Sequence, residues 1–231
     1  MTQKEAEQIV VDYLSPIFIE RKFKYNKSKW HGFVKLYDSG FEQLLLSFNN
    51  HWPRQQPEYT ICKRFNLVED IYSILSDKFN FSETISYLNK TFWFNYGSLN
   101  FKGNSYLPPV ETEEEMMGHA QKIKEFMIET GFPMLEKYST LQAIDAEING
   151  DDFWPTDWQH KFALGGGFPY KRLIIAKLCD NPRYDTLYTF HVNELEEIRK
   201  KYTNPRPLPL VDGKTAYQYL VEKLLKDVKP L

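Results

Sequence analysis

Apolar residues recur at three- and four-residue spacing through Ala6, Ile9, Val10, Tyr13, Leu14 and Ile17, which is the stripe of an amphipathic helix. Thr2-Gln3-Lys4-Glu5 just before it has the form of a capping box, with the Thr2 hydroxyl and the Glu5 carboxylate serving backbone amides at the helix start. The helix is expected to end near Glu20 to Lys22, with Pro16 kinking or splitting it. From Phe23 the period changes. Phe23 and Tyr25 alternate with lysines as a short first strand does, and the stretch Trp30–Phe65 continues the pattern. Phe33–Tyr37 is apolar at most positions, as in a strand covered on both faces. Leu44, Leu46 and Phe48 share one side of an extended segment. Asp38-Ser39-Gly40 joins those two strands in three residues. A third segment, Tyr59–Phe65, follows a Pro-containing loop from His51 to Pro57. The pattern predicts an antiparallel meander with a helix packed over one face.

Beyond it, Asn66-Leu67-Val68-Glu69 repeats the capping logic and opens a helix to about Lys78, with Val68, Ile71, Tyr72 and Leu75 inward. Thr84–Leu88 and Thr91–Asn95 read as strands about an Asn89-Lys90 turn. Pro108-Pro109 marks a change from strand-like to helical composition. Thr112-Glu113-Glu114-Glu115 starts a helix with three carboxylates in its first turn, where the helix dipole favours them, and Gly131 is expected to stop it. Pro133 is expected to open a short helix, and Ser139 to cap another that ends at Asn149-Gly150. Tyr170–Cys179 is a largely apolar helical run, Asn193–Lys201 a further helical piece, and Asn204–Leu210 a stiff extended connector. Asp212 is expected to cap a last helix. The expected architecture is α+β: an antiparallel β-meander with packed helices in residues 1–108, and a mostly helical part in 109–231 sharing one core with it.

Composition excludes several classes. Hydrophobic residues are 42% and aromatics 16% of the 231 residues, too many for wholesale disorder. The net charge of −2 provides no field to recruit nucleic acid or an acidic membrane, so neither is expected as a partner. No window reaches the roughly 18–20 apolar residues of a spanning helix. Cys62 and Cys179 are isolated, as in a reduced cytoplasmic protein, and the expected location is cytoplasmic. No cofactor is expected.

Candidate chemistry is sparse. Gly165-Gly166-Gly167 runs into a helix start carrying Lys171 and Arg172, an arrangement in which free amides and basic side chains can hold an anion. It matches neither nucleotide-binding glycine fingerprint, and its other reading is an inter-helix loop. Asp157 and His160 lie close by in sequence, although no metal-ligand set is complete around them. The basic run Arg21, Lys22, Lys24, Lys27, Lys29 and Lys35 interleaves with aromatics, as single-strand binding surfaces do. Lysines that protect an edge strand give the same pattern. Trp30, Trp52, Trp154 and Trp158 stand in or beside loop-like sequence and are the candidate anchors for a protein partner. No nucleophile elbow or activated cysteine is present in the local sequence.

The opening helix with Tyr13-Leu14-Ser15-Pro16, then Phe23-Lys24, the strand-rich stretch and Phe65-Asn66-x-Val68-Glu69 together resemble small uncharacterised bacterial domains. Some of these are encoded beside secreted toxins and are regarded as immunity proteins. The resemblance covers about the first 75 residues and carries over no functional residue; it implies a non-enzymatic role. The leading expectation is therefore a cytoplasmic, non-enzymatic protein-binding module of immunity type. The alternative is an enzyme, or a protein binding a small molecule or anion, with a pocket near Gly165–Arg172 and Asp157/His160.

Overall fold

The computed structural model describes residues 1–51, 54–81, 90–96, 107–150, 167–201 and 208–231. The strands are β1 (Lys24–Asn26), β2 (Gly32–Tyr37), β3 (Gly40–His51), β4 (Arg54–Phe65) and β5 (Phe92–Asn95). They are hydrogen-bonded in chain order into one antiparallel sheet of an α+β fold. The helices are α1 (Gln3–Glu20), α2 (Asn66–Phe79), α3 (Glu113–Phe126), α4 (Phe132–Lys137), α5 (Leu141–Asn149), α6 (Phe168–Leu178), α7 (Tyr184–Lys200) and α8 (Ala216–Tyr219). Among the described residues no helix is long and apolar enough to cross a membrane. The expected strand at Thr84–Leu88, Asn89 of its turn and most of the connector Asn204–Leu210 lie outside the described residues.

These residues fall into two compact units, and neither is a continuous half of the chain. The first holds residues 1–51, 54–64, 92–96 and 107–139. The second holds 65–81, 90–91, 140–150, 167–201 and 208–231.

In the first unit, α1 and α3 pack together and α1 also lies against β1 and β3. Both helices begin with the capping boxes read from sequence, Thr2 with Glu5 and Thr112 with Glu115. Pro16 is accommodated inside α1 without splitting it. Leu44, Leu46 and Phe48 are at most 8% exposed, as their alternation predicts. Phe18 of α1 stacks on Phe33 of β2 at 4.3 Å and meets Phe132 edge-on at 5.2 Å, joining helix, sheet and α4. Such pairs add about 0.5–1.5 kcal/mol each beyond their area burial.

The β2–β3 turn is tighter than expected, since Tyr37 pairs with Gly40 and only Asp38 and Ser39 remain in the loop. Gly40 takes its positive φ of 151° as the first residue of β3. Gly131 does not stop α3. The chain continues through one π-helical turn, Met127–Gly131, into α4. A Cβ at Gly131 would come within 2.6 Å of Met127 Sδ and 2.9 Å of Ile61 Cδ1, so the missing side chain serves close packing on β4 instead of helix termination.

Gly32 plays a comparable part between strands. A Cβ there would lie 2.0 Å from the Leu44 carbonyl oxygen of β3, a backbone atom that cannot yield. Gly32→Ala is expected to destabilise the chain by about 1–3 kcal/mol through overpacking, seen as a lower denaturation midpoint in urea.

In the second unit α6 is the central helix, packed against α2, α5 and α7. Seven of its residues are buried: Lys171, Arg172, Leu173, Ile174, Ile175, Ala176 and Leu178. A helix with so many of its residues buried belongs inside a bundle. Several boundaries here correct the sequence expectation. α2 starts at Asn66 with Phe65 as an N-cap that makes no side-chain bond. Thr140, not Ser139, caps α5, and Thr215, not Asp212, caps α8. α7 is one continuous helix from Tyr184. For α5 and α8 the hydroxyl that reaches the amide three residues on, of Ala143 and Gln218, sets the start.

Candidate functional site

A small cleft opens in the first unit where the end of α1, the β2–β3 hairpin and α4 come together. Its volume is about 200 Å³, and Arg21, Phe23, Lys35, Tyr37, Phe132 and Leu135 form most of its wall. Strand periodicity positions the polar members. Lys35 and Tyr37 are two apart on β2 and so share a face, and Lys35 is paired directly with Glu42 of β3. The Tyr37 hydroxyl donates to Glu42 Oε2 at 2.7 Å, and Lys63 Nζ of β4 lies 2.6 Å from Glu42 Oε1. Lys63 also donates to the Leu135 carbonyl at 3.4 Å. The Glu42 and Lys63 side chains are 9% and 7% exposed, so this pair is internal and already satisfied. Burial and the Glu42 acceptor push the Tyr37 phenol well above its ordinary range, keeping it a donor at physiological pH.

The two cations at the mouth are held differently. Arg21 lies 4.4 Å over the Phe132 ring, with a weak 3.5 Å approach to Glu20. Lys35 sits 5.7 Å over Phe23 and 5.3 Å over Tyr37. Aromatic faces orient a cation without neutralising it. Tyr37, in the wall of the cleft, is 41% exposed, whereas the exposed Leu36 (63%) lies between Lys35 and Tyr37 and so points to the opposite face of β2. The cleft thus sets Arg21 and Lys35 among aromatic rings, with Glu136 and the Lys63-paired Glu42 as the carboxylates of its lining.

The second unit has a buried polar network around α6. Glu69 of α2 and Lys171 are 0% and 2% exposed in their side chains, with Glu69 Oε2 2.9 Å from Lys171 Nζ. The approach is off the hydrogen-bonding direction, and neither Glu69 oxygen accepts a directed bond. Lys171 donates to the Lys90 carbonyl at 3.0 Å and lies 4.8 Å over the Tyr72 ring. Arg172 Nε donates to Asn149 Oδ1 at 2.6 Å, Asn149 donates to Asp145 Oδ1 at 2.6 Å, and Asn181 donates to Asp145 Oδ2 at 2.7 Å. Burial, aided by Arg183, lowers the Arg172 guanidinium to about 9. His191, 1% exposed, is lowered to about 4 by burial and by Arg172. The Cys179 thiol is pushed up to about 12, chiefly by burial, which removes the thiolate that nucleophilic chemistry needs. Among the described residues no three His, Cys, Asp or Glu side chains gather as metal ligands would.

No family model, curated protein or solved structure matches the chain.

The residues singled out from sequence are placed unevenly. Gly165, Gly166, Asp157, His160, Trp52, Trp154 and Trp158 lie outside the described residues. Gly167 precedes α6 with φ 78°, and a Cβ there would enter the Tyr72 ring at about 2.0 Å, so its role is close packing at a left-handed position. Lys171 and Arg172, expected as basic groups available to an anion, are turned into the unit and engaged by Glu69, Lys90 and Asn149. The all-round burial of α6 is the reason. Trp30, expected as an exposed anchor, is 8% exposed and packs edge-on to Phe41 at 4.7 Å; its area is taken up by the core. Sequence reasoning missed Tyr37 and Glu42 as site residues. It had Arg21 and Lys35 only as members of a basic run.

Proposed function

We propose that the chain is a non-catalytic protein-binding module that engages its partner with the hairpin end of the first unit. The observation carrying this reading is the cleft with Arg21 and Lys35 held over the Phe132 and Phe23 rings and with Tyr37, 41% exposed, in its wall. Its volume of about 200 Å³ is below the roughly 300–1,000 Å³ of a small-molecule pocket and suits one inserted side chain. The cations ask for a carboxylate and the Phe23, Tyr37 and Phe132 rings for an apolar neighbour, so the partner is a protein presenting an acidic side chain beside an aliphatic or aromatic one. An inhibitor of a toxin, the role of the immunity domains that the opening residues resemble, is the form of this function we favour. We place it in the cytoplasm, where a reducing environment maintains free cysteines such as Cys62 and Cys179.

Site dependence tests the proposal. Tagged wild type and the variants Arg21→Glu and Arg21→Glu/Lys35→Glu are used to capture partners from the native lysate, with folding checked by circular dichroism. A single stoichiometric partner held by wild type is expected to bind the variants at least about 30-fold more weakly, the loss of a central hot spot of about 2 kcal/mol. Equal recovery by wild type and folded variants, or no stoichiometric partner at all, overturns it.

A further inference from the structure

At the opposite end of α1 lies a larger cleft of about 680 Å³, within the range that holds small ligands. Its floor is apolar: Leu46 and Phe48, two apart on β3 and thus on one face, are 5% and 8% exposed. Its walls come from the first turns of α1, with Lys4 and Glu7, and from the loop after β1, with Lys27 and His31.

The loop is fixed in place. The Leu46 amide donates to the His31 carbonyl at 2.8 Å, and Asn26 Oδ1 accepts from the Lys29 amide at 2.9 Å. Glu7 ties the helix to the loop by accepting from both the Tyr25 hydroxyl and the Lys27 ammonium. This leaves the hydrogen-bonding capacity of the rim unbalanced. The one carboxylate is occupied by two donors, and its side chain is 13% exposed. Lys27, 59% exposed, has spent one of its three N–H groups, while Lys4 and the exposed His31 ring make no side-chain hydrogen bond to a described residue. Gln3 and Ser28 add only neutral acceptors, so among the described lining residues no second carboxylate faces the cations above the apolar floor.

We propose that this cleft binds an amphipathic organic carboxylate, with its apolar body on Leu46 and Phe48 and its carboxylate at the Lys4–Lys27–His31 rim. The apolar part supplies area burial and the cations choose the sign of the head group. The site is separate from the proposed docking face and does not depend on it. Neutral or cationic amphiphiles of equal length are disfavoured by the same rim.

The test is a titration of the ¹⁵N-labelled full chain with octanoate, and in parallel with octylamine and acetate. Octanoate is expected to shift the amides of Leu46, Phe48 and residues 27–31 saturably with a Kd of about 1 mM or tighter. Acetate, lacking the body, and octylamine, carrying the wrong charge, are expected to bind at least about tenfold more weakly. Lys4→Glu/Lys27→Gln is expected to weaken octanoate by about tenfold or more with the remaining spectrum unchanged. Lys4→Glu alone, at an exposed position, gives the smaller loss if the double variant does not fold. Absence of saturable shifts at these amides, equal binding of octylamine, or undiminished binding by the folded variant overturns the proposal.

Discussion

Replacing Lys171 with methionine is expected to destabilise the chain by about 3–5 kcal/mol, a large part of the roughly 5–15 kcal/mol that holds a domain of ordinary size. The loss follows from what the ammonium leaves behind. Glu69 is fully buried, and Lys171 at 2.9 Å is its one charged neighbour among the described residues. Without that charge a carboxylate stands in apolar packing, a far heavier burden than the missing pair itself. The Lys90 carbonyl also loses the donor that reaches it at 3.0 Å. Removing both charges is a different experiment. Glu69→Leu/Lys171→Met is expected to recover most of the loss, since well-packed apolar pairs match or exceed buried ion pairs of similar volume. Urea denaturation followed by circular dichroism on wild type, both single variants and the double variant gives the coupling free energy. A Lys171→Met loss under about 1 kcal/mol, or a double variant no better than the worse single one, would refute this account of α6.

The same pair shows where sequence reading stops. Local rules located α1 and α3, because Thr2/Glu5 and Thr112/Glu115 satisfy amides within their own first turns. They located β3 as well, because Leu44, Leu46 and Phe48 alternate against a single core. Glu69 has the spacing of a cap residue, yet its partner comes from a helix distant in sequence, and no local rule carries that information. Lys171 and Arg172 read as exposed because charged side chains usually are. The available signal was the largely apolar Leu173–Leu178 run following them: such a helix is expected to be central, so charges beside the run need internal partners. The basic run from Arg21 to Lys35 was visible from the start. Its division between the hairpin socket, with Arg21 and Lys35, and the α1–β3 cleft, with Lys27, depends on strand faces and on where α1 begins and ends. The interleaving of the two units could not be read from the change in composition near Pro108-Pro109, because each unit gathers segments from both sides of it.

Lowering the pH from about 6.5 to about 4 is expected to destabilise the second unit by up to about 3 kcal/mol through His191 alone. Burial, with Arg172 adding to it, depresses the folded-state value of this imidazole from 6.5 to about 4. An unfolded chain therefore takes up the proton near pH 6.5 while the native one refuses it until about 4. Stability from this group is complete above the unfolded value, falls as the pH drops through that window and levels off below it. The neighbours explain the refusal. Phe190 at 5.2 Å, Tyr217 at 6.2 Å and Phe168 at 6.4 Å surround the ring, and neither ring nitrogen has a hydrogen-bond partner. Glu194 approaches Nδ1 to 3.6 Å, but its side chain is 49% exposed, and a solvated carboxylate offers a buried imidazolium little. His191→Phe removes the titrating group and keeps an aromatic ring in an aromatic slot. It is expected to match or exceed wild type at pH 7 and to show a flatter decline between pH 6.5 and 4. Urea midpoints measured across that range for both proteins decide the matter: parallel curves would mean that the acid sensitivity of the chain arises elsewhere. A converging pair at high pH and a widening gap at low pH would assign it to the unpartnered imidazole beside Arg172.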